Sequence, residues 1–159
     1  MAELNILNSV ARQYRASLAM LRQTIDACPE SLWVAPEYPN QFWHIAYHAV
    51  FYTHFYLHST EADFRPWAKH KPDTQYLARK IETPFSKSEV LEFHEFCCAE
   101  VEARVPVIDL EAPSGFPFLP FNKLELQFYN IRHTQHHTGQ LADRLRNAIN
   151  IGTPWVRPE

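Results

Sequence analysis

The run Phe42-Trp43-His44-Ile45-Ala46-Tyr47-His48-Ala49-Val50-Phe51-Tyr52-Thr53-His54-Phe55-Tyr56-Leu57 decides the class of fold. Its aromatic and β-branched residues would also suit strands. Its length, without Gly, Pro or a formally charged residue, favours a helix buried over most of its circumference. Asn40 stands where an N-cap is expected, so the helix is placed over residues 41–59. That reading sets His44, His48, Phe51, Phe55 and His58 along one stripe.

Toward the N-terminus, residues 4–28 carry Leu7, Val10, Tyr14, Leu18, Leu21 and Ile25 at helical spacing, with Arg12, Arg15, Arg22 and Gln23 between them. Pro29 opens a turn, residues 30–33 add a short helical turn, and Pro36 and Pro39 stop it. Toward the C-terminus the periodicity fades over residues 60–85, where Pro66, Pro72 and Pro84 interrupt the chain. A connection this long is expected to pack or act, with Phe64, Trp67, Tyr76 and Phe85 as its anchors and a helical turn near residues 74–79. Ser86-Lys87-Ser88-Glu89 has capping-box spacing and opens a third long helix, with Val90, Phe93, Cys97, Val101 and Val105 as its apolar stripe and Pro106 as its limit. Residues 107–121 contain Pro113, Gly115, Pro117 and Pro120 and read as a hydrophobic flap carrying Phe116, Phe118, Leu119 and Phe121. Asn122 and Glu125 repeat the cap pattern and open the last helix, to about residue 149, before Gly152 and Pro154. The expected fold is all-α, a four-helix bundle with long connections, in a single domain spanning 1–159.

The chain has 159 residues, enough for one packed domain, and 46% of them are hydrophobic, which argues against disorder. A formal charge of −3 and the lack of a basic run give no reason to expect nucleic acid or an anionic membrane as partner. Arg132, Arg144 and Arg146 gather on what reads as a solvated helix face. No apolar stretch is long enough to span a bilayer, and the first twenty residues have no signal-peptide core. Cys28, Cys97 and Cys98 cannot all pair within one chain, so a reduced, cytoplasmic protein is expected.

The chemistry lies in the histidines. Asn130-Ile131-Arg132-His133-Thr134-Gln135-His136-His137-Thr138-Gly139-Gln140-Leu141 holds three of the nine. On a helix His133 and His137 share a face one turn apart, within reach of one ion. Gln140 shares that face and could meet bound water or substrate. Gly139 costs a helix about 1 kcal/mol relative to Ala, which would fit close packing against a neighbouring helix. No Glu-x-x-His repeat precedes these histidines, since Ile45, Asn130, His133 and Thr134 stand three residues before His48, His133, His136 and His137. A carboxylate-bridged di-iron centre is therefore excluded. His94-Glu95 is followed by Phe96-Cys97-Cys98, so there is no zincin motif either. A mononuclear three-histidine site remains. Spacing alone does not choose its members, because His133 with His136, and His44 with His48, also share faces.

His48 followed by the aromatic, apolar run Ala49-Val50-Phe51-Tyr52-Thr53-His54-Phe55-Tyr56-Leu57, together with the late His133-x-x-x-His137-x-Gly139-Gln140-Leu141, resembles the DinB-like (DinB/YfiT) superfamily of metal-binding four-helix bundles. The resemblance covers most of the chain. It implies His48, His133 and His137 as metal ligands, with His44, His136 and Gln140 left as second-layer or substrate contacts. Zinc and nickel both accept imidazole. Three neutral imidazoles leave a divalent ion an open position, at which it lowers the pKa of a water or thiol or polarises a carbonyl. Ligation needs neutral rings, so metal affinity is expected to fall as the pH drops through about 6.5. Enzymes resembling this family include transferases that use low-molecular-weight thiols and a thiol-dependent isomerase. The implied function is a metal-dependent enzyme acting on a small-molecule substrate, of thiol-dependent S-transferase or hydrolase type. The alternative is a non-catalytic metal- or small-ligand-binding bundle of the stress-response type. A homodimer is expected from the family and from the apolar helix faces.

Overall fold

The computed structural model describes residues 5–158. They form α1 (Ile6–Ala27), the single turn α2 (Glu30–Trp33), α3 (Phe42–Tyr56), α4 (Lys87–Arg104) with a 3-10 turn at Val105–Val107, and α5 (Lys123–Ile149). Among the described residues there is no strand, only an isolated bridge between Pro113 and Asn122. Leu4, expected as the first helical residue, lies outside the described residues. The helix starts at Ile6, where the Asn5 side chain accepts a bond from the Asn8 amide.

The four long helices pack in a closed circuit, with α1 and α3 each lying against both α4 and α5. The reason is visible in each apolar face. In α1, Val10, Tyr14, Leu18, Leu21 and Ile25 are buried at helical spacing, and in α4 so are Val90, Phe93, Cys97 and Val101. Helix α3 is different. Twelve of its fifteen residues are buried, so it has no solvent face to speak of. Its aromatic side chains are shared between α4 and α5 and the two long connections.

Residues 57–86 do pack over the helices. Trp67 stacks on Phe93 with ring centroids 4.8 Å apart, and Phe85 stacks on Tyr47 at 4.6 Å. The helical turn expected near residues 74–79 is absent. Asp73 adopts a left-handed φ of 66°, which no helix continues through, and the segment is a chain of turns closed by Thr74, Tyr76 and Arg79 amides. In the flap, Phe116 is buried against Phe55 and Tyr56 while Phe118 is exposed. Gly115 sits at φ +83°, and a Cβ there would lie 2.0 Å from the Ser59 carbonyl oxygen, so only glycine fits.

Both ends of α3 differ from the sequence reading. Gln41, not Asn40, is the N-cap of α3; its carboxamide instead donates to the Val34 carbonyl and accepts from the Trp43 indole. The Asn40 carbonyl is taken by Arg144, which also lies 4.1 Å from the centre of the Tyr38 ring. Arg144 is thus half-buried and not part of a solvated face. Helix α3 stops at Tyr56, short of residue 59, because the amides of Leu57 and His58 bond back three residues and tighten the last turn. The capping box is present, with Ser86 and Glu89 bonding each other's backbone amides. At the other end of the chain α5 closes on Asn150 in the left-handed conformation, before Gly152 is reached.

Candidate metal centre

The packing of α3 on α5 builds the site. The Asn130 side chain donates to the Thr53 carbonyl (3.0 Å), and the Thr53 and Thr134 hydroxyls are 2.7 Å apart. Both pairs are buried, so they fix the register of the two helices. His48 lies on α3 five residues before Thr53, and His133 and His137 flank Thr134 on α5. Registering Thr53 against Thr134 therefore brings the three imidazoles together, their ring planes 50–81° apart.

Their Nε2 atoms converge. His133 Nε2 is 3.2 Å from His48 Nε2 and 3.1 Å from His137 Nε2. One nitrogen from each ring lies within 4.8 Å of the others. The partners of the opposite nitrogens decide what these contacts can be. His48 Nδ1 is 2.7 Å from the Gln75 carbonyl oxygen, so it carries the proton and leaves Nε2 as a lone pair. His137 Nδ1 is 2.7 Å from Gln140 Oε1, with the same consequence. His133 Nε2 therefore faces two lone pairs and has at most one proton to give, so hydrogen bonding cannot satisfy the cluster. A cation can. Donors about 2.0–2.1 Å from a tetrahedral ion lie about 3.3 Å from one another, close to the spacings found. The residues present fit a divalent metal held by three imidazoles.

Burial sets their protonation. Desolvation pulls His48 down to about 4 and His133 down to about 3, each helped by neighbouring histidines, and it lowers His137 as well. The rings are neutral and ready to ligate well below neutral pH. With these shifts the loss of metal affinity is expected at more acidic pH than the ordinary histidine value of about 6.5 implies.

The remaining sequence candidates fall at different distances from this cluster. Gln140 orients His137. His136 is exposed, with its ring centre 5.0 Å from that of His137. His44 bonds the Thr74 carbonyl at 3.0 Å, one residue before the Gln75 carbonyl that holds His48, so both rings tie the same loop to α3. Gly139 does not mediate close packing: a Cβ there would meet nothing within 4 Å. His70 and His94 are satisfied by the Tyr47 hydroxyl and the Leu18 carbonyl. Burial works against thiolate at Cys97 and Cys98, pushing Cys98 up to about 11 and raising Cys97 well above its ordinary value.

Two residues that the sequence did not single out matter here. Tyr52, one turn after His48, packs its ring against His48 (4.7 Å) and His133 (5.5 Å), and the i, i+4 spacing could have found it. Gln75 comes from a loop, and no local pattern marks it. Both border a cavity of about 470 Å³ that is also lined by Phe55, Tyr56, Glu61 and Tyr76. The Gln75 carboxamide oxygen is itself buried and has no hydrogen-bond partner among the described residues.

No curated protein and no solved structure matches the chain in comparison with known proteins. A family model does match, the one described as the DinB superfamily, over residues 13–141. That span contains all three converging histidines and most of the described helices. The chain belongs to the DinB superfamily.

Proposed function

We propose that the chain is a metal-dependent enzyme acting on a small molecule, of thiol-dependent S-transferase or hydrolase type, with His48, His133 and His137 as ligands of one zinc or nickel ion. The observation that carries this reading is the meeting of three Nε2 atoms, two of them set as lone pairs by Gln75 and Gln140. An ion in a site of neutral imidazoles supplies a Lewis acid that lowers the pKa of a thiol or polarises a carbonyl. The chain does the rest. The Gln75 carbonyl and Gln140 hold the protons on His48 and His137, and Tyr52 shields one side of the rings from water. Glu61 brings a carboxylate to the adjoining cavity, which the hydrolase version needs as a base.

The same reading takes the chain as one domain, a four-helix bundle in the cytoplasm, with no nucleic-acid or membrane partner. Its support is the closed circuit of helices, three cysteines without disulfides, and the absence among the described residues of a helix long and apolar enough to cross a membrane. Homodimerisation has support in the exposed Ile6 and Phe128, which border one groove along α1 and α5.

One observation favours the alternative, a non-catalytic metal- or ligand-binding bundle: no carboxylate, amine or thiol bonds any of the three histidines among the described contacts. Turnover decides between them. Metal-loaded protein given an electrophile and a panel of low-molecular-weight thiols should consume both, and His48→Ala should abolish the reaction. Tight metal binding with no turnover of any thiol, and no hydrolysis of activated esters, would establish the non-catalytic reading.

A further inference from the structure

Six residues along α3 from His48, the helix has turned about 240° and risen about 9 Å, so His54 faces α4 instead of α5. It meets Phe93 and Phe96 there and is almost fully buried. Neither of its nitrogens has a short partner. Nδ1 is buried with none, and Nε2 stops 3.6 Å from Glu100 Oε2, beyond hydrogen-bond length. His58 lies beside it, ring centres 4.8 Å apart and nearly perpendicular. The His58 Nδ1 is 3.0 Å from the His54 carbonyl oxygen, so it carries the proton and Nε2 is a lone pair. This is the arrangement by which metal-binding imidazoles are held, a backbone carbonyl fixing the far nitrogen. One donor atom each from His54, His58 and Glu100 lies within 4.8 Å of the other two. A buried imidazole without hydrogen bonds is costly, and an ion at either of its nitrogens would give that nitrogen a partner.

We propose that His54, His58 and Glu100 form a second divalent-cation site, for zinc or a similar transition metal, clamping the end of α3 to α4. Two imidazoles and one carboxylate are a donor set that zinc accepts, with a fourth position left for water. Of the three donors His58 also lines a cavity of about 500 Å³, together with Arg104, Lys123 and Gln127. The site shares no residue with the three-histidine cluster. Arg104 opposes it, since its guanidinium bonds the same Glu100 oxygen that faces His54 and adds a positive charge. Metal must displace that contact or use the other carboxylate oxygen.

The test is a zinc titration of chelator-stripped protein, reading the number of ions bound, for wild type, His58→Ala, Glu100→Gln, Arg104→Gln and His137→Ala. Wild type should bind two ions. His58→Ala and Glu100→Gln should each lose one and keep the ion that His137→Ala loses. Arg104→Gln frees the carboxylate and should tighten the second ion severalfold, a gain that misfolding cannot produce. A wild type that binds one ion, lost in His137→Ala and untouched by His58→Ala, overturns the second site and leaves the first. One ion that survives His137→Ala but not His58→Ala overturns the first and leaves the second. If Arg104→Gln leaves the affinity unchanged, Glu100 is not a ligand and the proposal fails.

Discussion

Gln140 and Gly139 are neighbours on α5 with opposite relations to the site. Gln140 reaches back one turn to hold the His137 ring, so its side chain is part of what aims the nitrogen. Gly139 is exposed, and a methyl group there would touch nothing. Its helical backbone needs no glycine, so its effect is mainly the entropy it adds to the unfolded chain. Gly139→Ala is expected to stabilise the protein by about 1 kcal/mol, raising its thermal midpoint by several degrees without changing metal content. A lower midpoint would mean that something outside the described contacts approaches that position. The sequence shows a glycine within the histidine motif but not whether a neighbouring helix comes close to it. His133 and His137 were legible as a pair because helical spacing puts them together. His54 and His58 have the same spacing, and their partner Glu100 could not be identified from it, because that residue comes from another helix.

Helix α3 carries the fold and both histidine clusters. Its length and lack of charge were enough to read it as buried over most of its circumference, and twelve of its fifteen residues are buried. Its ends were not legible. The Asn40 carbonyl is used by an arginine over a hundred residues away, and the last turn is drawn tight by three-residue bonds at Leu57 and His58. Burial has a further effect on this element. His44, His48 and His54 are all shifted below their ordinary pKa by desolvation, His48 and His54 to about 4. In the unfolded chain they titrate near 6.5. Between those values the unfolded chain binds protons that the folded chain does not, so stability falls as the pH drops through that window and is level above it. Each such ring contributes a slope of about 1.4 kcal/mol per pH unit at most. The metal-free protein should therefore show a denaturant midpoint that is steady from pH 8 to 7 and falls steeply from about 6.5 toward 4. A midpoint that does not change between pH 7 and 5 would mean these rings are solvated or paired.

At the scale of the molecule, the circuit of four long helices places two residues of α5 opposite one of α3, and the Thr53–Thr134 and Asn130–Thr53 contacts hold that register. The all-helical class was legible before any coordinates, from apolar spacing and cap signals. The path of the connections was not legible, because their turns depend on residues such as Asp73 and Gly115 whose backbone angles only the packed chain imposes. Gln75 reaches the site along just such a path. The central claim is that His48, His133 and His137 act together on one ion. The most direct measurement is metal per chain in tag-free protein, wild type beside His48→Ala and His137→Ala, with folding checked by circular dichroism. Each variant should carry one ion fewer than wild type. Equal metal in all three proteins would contradict the account.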